Sequence, residues 1–434
     1  MLAEMTIDVP PKPRPQPLPP PLFRWAVLLF MSLAMFGNYY TYDAVAPLAS
    51  MLTKELGFDD TQLGLLNAIY SFPNIVMVLV GGIIVDRIGP GRATLYFTLV
   101  SLVGAAVTVA SNAFPVMALG RLLFGLGAES MIVAITASLG QWFKGRQLGF
   151  AFGLNLSIAR AGSYAADLSP TWGKALYAQG WRPALLISVA LMAMASAAAV
   201  VYWLLERHAA RRYQLDRPAP ADRIVWADLV RFDRSYWYIV GLCVTFYSVI
   251  FPFRSTFAIK FFQDSYKLTL EEAGTLNGYV FFAAIFVTPL FGLVVDKLGR
   301  RSLFMALGSL ILFPVFLMLA YTRWNLWIST AMIGVAFSLI PAVLWPSVPY
   351  LVGSERLGTA YGLMTMLQNV GLTVFNVAIG GLNDFSHAGP ENPQGYLPML
   401  WSFAVLSLLG LVFALLLRRR EQGPKSHALD TIHA

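Results

Sequence analysis

Residues Gly120–Gly162 read GRLLFGLGAESMIVAITASLGQWFKGRQLGFAFGLNLSIARAG. Two apolar runs meet at a short basic turn, Lys144-Gly145-Arg146, and each carries one charge near its middle: Glu129 in the first, Arg160 in the second. Counted back from the turn at about 1.5 Å per residue, Glu129 lies about 18 Å up one helix and Arg160 about 20 Å up the next. Ionisable groups at bilayer depth are expensive and mark function by default. Two opposite charges at one depth point to a small zwitterionic solute held near the middle of a membrane. A mutual structural salt bridge is the alternative, because each charge alone faces a large desolvation cost.

Working outward, the 434 residues are 57% hydrophobic and only 12% charged, which excludes an ordinary soluble protein and indicates a polytopic membrane protein. Apolar runs fall at 23–48, 61–85, 93–111, 114–141, 148–170, 183–205, 236–262, 272–295, 302–321, 325–352, 357–382 and 396–417. Each is long enough to cross a hydrocarbon core of about 30 Å. The predicted class is therefore all-α, with twelve transmembrane helices. Residues 1–22 contain PPKPRPQPLPPP and read as an extended polyproline arm with no apolar leader before it. The first span ends in small residues but is too long and, around Tyr39, Tyr40 and Tyr42, too polar for a cleaved leader.

Assigning alternate loops to the two sides puts 22 of the 31 Lys and Arg with both termini, 5 opposite and 4 within spans. That asymmetry predicts cytoplasmic termini. It also explains the net charge of +8 without a nucleic-acid partner. The longest loop, Glu206 to Arg234, carries seven arginines and no aromatic platform, and it divides six spans from six. The expected organisation is an arm (1–22), an N-terminal bundle (23–206), a basic linker (207–235), a C-terminal bundle (236–418) and a disordered polar tail (419–434). A monomer is expected.

The halves repeat. Gly82-x-x-x-Asp86-Arg87-x-Gly89 recurs 210 residues later as Gly292-x-x-x-Asp296-Lys297-x-Gly299. Leu148, Gly149, Ala151, Gly153, Leu154 and Gly162 recur at an offset of 209 as Leu357, Gly358, Ala360, Gly362, Leu363 and Gly371. Such duplicated bundles place substrate at their interface. The same offset makes Asn369 the counterpart of Arg160, an amide at equal depth for a peptide carbonyl. Asp43 and Arg254, 211 residues apart, lie toward the far side of the first span of each half. They read as a gate ion pair or as charges snorkelling to the interface.

These loops, the Arg121-x-x-x-Gly125-x-Gly127 run and the six-plus-six layout resemble the major facilitator superfamily along the whole chain. Gly89 is followed by Pro90-Gly91-Arg92, where that family usually places basic residues directly. The first charged loop is thus expected to be weaker than its partner at Arg300-Arg301. Tyr42-Asp43, Ser71-Phe72-Pro73-Asn74, Glu129-Ser130, Trp142-Phe143-Lys144-Gly145, Ala159-Arg160-Ala161-Gly162-Ser163, Phe251-Pro252-Phe253, Leu344-Trp345-Pro346 and Gln368-Asn369-Val370-Gly371 are similar to its lysosomal dipeptide-uniporter branch. The resemblance implies alternating access, with Glu129 and Arg160 holding peptide termini. By resemblance and polarity, Tyr39, Tyr42, Asn74, Tyr279, Trp345 and Gln368 would line the pocket. Asp86, Arg87, Asp296, Lys297 and Arg300 would form latches on the side of the termini, and Arg121 would bridge helices or relay charge. A bacterial inner membrane is the expected host.

The single cysteine, Cys243, permits no internal disulfide, and the four histidines (His208, His387, His427, His433) fall in loops or tails. Zinc spacing, a nucleophile with its base and a phosphate-cradling loop are all missing, so neither enzyme chemistry, metal nor cofactor is expected. Two rivals remain at this stage. One is a non-transporting sensor with a transporter fold; the other is a proton-coupled organic-anion carrier with Glu129 or Asp43 titrating.

Overall fold

The computed structural model describes residues 19–143, 147–213, 232–322, 324–353, 356–424 and 426–431. The basic turn at 144–146 and most of the Pro-rich arm and basic linker lie outside these residues, as does the side chain of Asp296. The described chain is helical, in two six-helix bundles. The first bundle has α1 (Pro21–Asp43), α2 (Asp60–Ile88), α3 (Pro90–Ala110), α4 (Phe114–Phe143), α5 (Leu148–Asp167) and α6 (Trp181–Arg212). The second has α7 (Arg234–Pro252), α8 (Leu270–Leu298), α9 (Arg301–Tyr321), α10 (Leu326–Leu351), α11 (Leu357–Phe385) and α12 (Leu397–Glu421). Among the described residues, 11 helices are long and apolar enough to span a membrane. The twelfth, α5, has 20 residues and so reaches about 30 Å. It is more polar, and it packs against α1 and α8.

Duplication is visible in how helices start and stop. Asp59 caps α2 in a capping box with Gln62, and Thr269 caps α8 in a capping box with Glu272, at the same offset as the charged loops. Each box satisfies orphan N–H groups of the first turn. Both helices have 29 residues and end at left-handed glycines, Gly89 (φ 84°) and Gly299 (φ 62°). The Pro90-Gly91 departure has a local cause. A side chain at Gly91 would put its Cβ 1.8 Å from Oε2 of Glu206, whose carboxylate sits at the N-terminus of α3. An anion suits that position.

The first helix of each half breaks at its charge. After Asp43, α1 gives way to a 3-10 turn at Ala46–Leu48, which contains Pro47, and then to a short helix, Ala49–Leu56. After Pro252, α7 passes through a π-helical turn, Phe253–Phe257, that contains Arg254, and resumes at Ala258–Tyr266. Proline removes a ladder hydrogen bond, and π turns mark functional positions in helices.

The tail differs from expectation, for it is folded back. Glu421 accepts from the backbone N–H of His427 (2.9 Å) and Leu429 (3.2 Å), and Leu429 is fully buried in the C-terminal core. Asp430 accepts from Ser302 N (2.8 Å) and Ser302 Oγ (2.6 Å) and so caps α9 from outside, while its carbonyl accepts from Arg300 N (3.1 Å). Arg420 also binds Asp233 at 2.5 Å, ahead of α7. Polar residues that serve as caps need no apolar pattern, so composition alone misreads them.

Candidate substrate site and gate

The halves meet along α2–α11 and α5–α8. At the end away from the termini these pairs touch backbone to backbone. Gly64 lies against the carbonyl of Asn376, Gly380 against that of Asp60, and Gly274 against that of Asp167. Toward the terminal end the spacing opens: Gly149 and Gly153 of α5 and Gly292 of α8 have no heavy atom within 4 Å of where a Cβ would stand. A cavity of about 650 Å³ lies between the halves at mid-depth. The geometry is closed at the far end and open at the terminal end.

Glu129 and Arg160 both line this cavity, and they do not pair. Glu129, half-buried on α4, accepts from Tyr70 OH at 3.1 Å. Arg160, on α5, donates through Nη1 to the carbonyl of Ala284 (2.9 Å) and to Thr288 Oγ1 (2.6 Å), both on α8 of the other half. Its guanidinium carbon lies 5.4 Å from the Phe337 ring centroid. The mutual salt bridge considered from sequence is thus replaced by two separate charges with separate partners. The cavity also takes in Tyr39, Tyr42, Trp345, Gln368 and Asn369. Trp345 Nε1 donates to Tyr247 OH (3.0 Å), Gln368 accepts from Cys243 Sγ (3.6 Å), and Asn369 Nδ2 is taken by the Thr365 carbonyl (3.1 Å). Two expected wall residues lie elsewhere. Asn74 is fully buried outside the cavity, with Nδ2 on the Tyr70 carbonyl. Tyr279 faces outward, its ring edge-on to Trp327 at 4.4 Å. Helical spacing leaves each polar residue free to face either way, which is why type and depth did not separate them.

Above the cavity Arg254 binds Asp43 at 2.7 Å and also Asp167, the last residue of α5. All three are at most 1% exposed, and Phe281 lies under the guanidinium at 3.7 Å. Snorkelling is therefore excluded for Asp43 and Arg254. Asn277 adds a bond to Asp167 (3.1 Å). A second buried pair, Lys260 with Asp60, joins the halves nearby, and Asp384 caps the first N–H groups of α2 at 2.9 and 2.7 Å. Asp167, Asp60 and Lys260 escaped the reading of the sequence. The available signal was Lys260 as a second cation, after Arg254, inside the apolar run 236–262 and Asp167 as an acid at a span end.

Arg121 is a helix bridge. Its donors reach the carbonyls of Leu66, Thr41 and Tyr42 and, at 2.6 Å, Asn67 Oδ1, joining α4 to α1 and α2. Asn67 in turn donates to Ser255 O and Thr256 Oγ1 across the seam. Asp86, Arg87, Lys297 and Arg300 are exposed at the terminal end.

Against known families, the model of the Major Facilitator Superfamily matches residues 31–375 and 250–433. The chain belongs to the Major Facilitator Superfamily. This facilitator is 35% identical over 375 residues to the lysosomal dipeptide transporter MFSD1 of Danio rerio, covering 84% of this chain and 81% of that one. It is 32% identical over 417 residues to MFSD1 of Homo sapiens (92% and 87% covered), and 22% identical to a probable sulfoacetate transporter of Cupriavidus necator (83% and 87%). Among solved structures, a bacterial homologue of the human lysosomal transporter Spinster, inward-facing and unoccupied, superposes with a TM-score of 0.72 at 15% identity, covering 92% and 98%. The nucleoside transporter NupG gives 0.69 at 14% identity (91% and 99%). The facilitator is a multi-pass membrane transporter of a small molecule; its relatives and fold are those of transporters, not enzymes.

Proposed function

We propose that this facilitator carries dipeptides by alternating access, with Glu129 receiving the ammonium and Arg160 the carboxylate. The observation that carries the reading is the pair of opposite charges that share one cavity yet are held apart. An extended dipeptide separates its charges by about 6–7 Å, and small-molecule sites occupy roughly 300–1,000 Å³, which accommodates the 650 Å³ here. Arg offers a planar fork to a carboxylate. Gln368 and Asn369 supply amides for the peptide bond, and Tyr42, Tyr39 and Trp345 the apolar walls. Relatives of 30–35% identity are lysosomal dipeptide transporters, which supports the same substrate class.

In this reading both termini are cytoplasmic, by the excess of basic residues there, and the structure is the inward-open state. The Asp43–Arg254–Asp167 cluster is the outer gate. Asp86, Arg87, Asp296, Lys297 and Arg300 latch the cytoplasmic side when the halves rock the other way. The working unit is a monomer, in a bacterial inner membrane. Counterflow in proteoliposomes tests the substrate. External dialanine is expected to exchange for labelled dialanine inside, whereas acetate and alanine are not. Exchange with small carboxylates and none with dialanine would hand the site to organic anions.

A further inference from the structure

We propose that Thr288 is a positioning residue for substrate selection: it fixes Arg160 across the seam so that one edge of the guanidinium is left for a ligand carboxylate. This rests on the dipeptide reading above. Arg160 belongs to the first half and Thr288 to the second, and the bond between them spans the cavity wall at 2.6 Å. The carbonyl of Ala284, one turn earlier on α8, takes the same nitrogen at 2.9 Å. A carbonyl has two lone pairs, so the α8 ladder tolerates this extra donor. Pro289 follows Thr288 and interrupts the ladder at that turn.

Phe337 covers one side of the guanidinium. Among the described residues neither Nε nor Nη2 of Arg160 has a protein acceptor, although Arg160 is only 7% exposed. Nη1 is therefore committed to the protein, and the remaining donors are committed to whatever fills the cavity. An unanchored arginine has rotamer entropy to lose on binding, and the Thr288 hydroxyl removes that freedom beforehand. Because the anchor sits on the opposite half, recognition of a carboxylate also senses how the two halves are set against each other.

The test uses the purified full chain, dialanine and dialanine amide, with binding measured by calorimetry. The unaltered protein is expected to prefer dialanine by about tenfold or more, the loss of a charge-assisted hydrogen bond. Thr288→Val removes the hydroxyl at nearly constant shape. It is expected to weaken dialanine to within about threefold of the amide, with the amide itself unmoved, and Thr288→Ser is expected to restore the preference. If Thr288→Val weakens both ligands equally, Thr288 is merely structural and the proposal falls. An unchanged preference in Thr288→Val overturns it too. If the unaltered protein binds neither compound, the dipeptide reading itself fails and takes this inference with it.

Discussion

Two places in the molecule bring opposite charges between the halves, and they resolve them differently. At the closed end four described carboxylates of the seam find a cation or a capping role: Asp43 and Asp167 share Arg254, Asp60 takes Lys260, and Asp384 caps α2. In the cavity below, Glu129 rests on a tyrosine hydroxyl and Arg160 on a carbonyl and a threonine. Neither has a counter-ion among the described residues. Paired buried charges hold a surface shut, because removing one partner strands the other. Neutral partners hold a charge in place while leaving its field for a ligand. Under the proposed function the first arrangement is the gate and the second the binding site.

The contrast can be broken by substitution. The largest effect is expected at the proposed gate: Arg254→Leu leaves two carboxylates buried without their cation and should cost about 3–5 kcal/mol of stability. A fall in the thermal midpoint reports it, and restoring Asp43 and Asp167 to neutrality (Asp43→Asn with Asp167→Asn) in the same chain should recover most of the loss. In the cavity, Arg160→Ala is expected to leave the ligand-free midpoint within about 1 kcal/mol while lowering dialanine affinity by about 100-fold, near 2.7 kcal/mol. A midpoint drop as large as that of Arg254→Leu would put Arg160 in the gate class.

A smaller change is expected at the tail, where Asp430→Ala removes an N-cap supplied from outside the helix. Caps are worth about 0.5–2 kcal/mol, and proteolysis after residue 421 should quicken as the tail releases. The smallest is at the rim. Lys174 and Glu271 pair at 3.2 Å, but their side chains are 77% and 36% exposed. Lys174→Met should change stability by at most about 0.5 kcal/mol. An effect rivalling the buried pairs would mean that position in the seam, not desolvation, decides what a pair contributes.

Much of this was legible in the chain itself. Apolar runs of spanning length located the helices, and charged-loop echoes at one offset revealed the duplicated bundles. Depth counting set Glu129 level with Arg160 and Asp43 level with Arg254, because helical rise is uniform; only the second couple is an ion pair. Partners in other helices were not legible. Asp167 reaches Arg254 over 87 residues and Asp60 reaches Lys260 over 200, and no local period records such pairings. Thr288 carries no signal in the sequence beyond its place before Pro289. Asn74 and Tyr279 share the polarity of true wall residues but sit at other angles around their helices. The tail carries few apolar residues, so its docking through caps and one buried leucine left no compositional trace.

The most direct measurement crosses ligand with protein. Binding of dialanine, N-acetyl-dialanine and dialanine amide would be compared for the unaltered chain, Glu129→Gln and Arg160→Ala. Separate recognition of the two termini requires that Glu129→Gln lose discrimination against the acetylated compound alone, and Arg160→Ala discrimination against the amide alone. If both variants weaken all three ligands in parallel, or bind them as the unaltered chain does, the two charges do not divide the substrate between them.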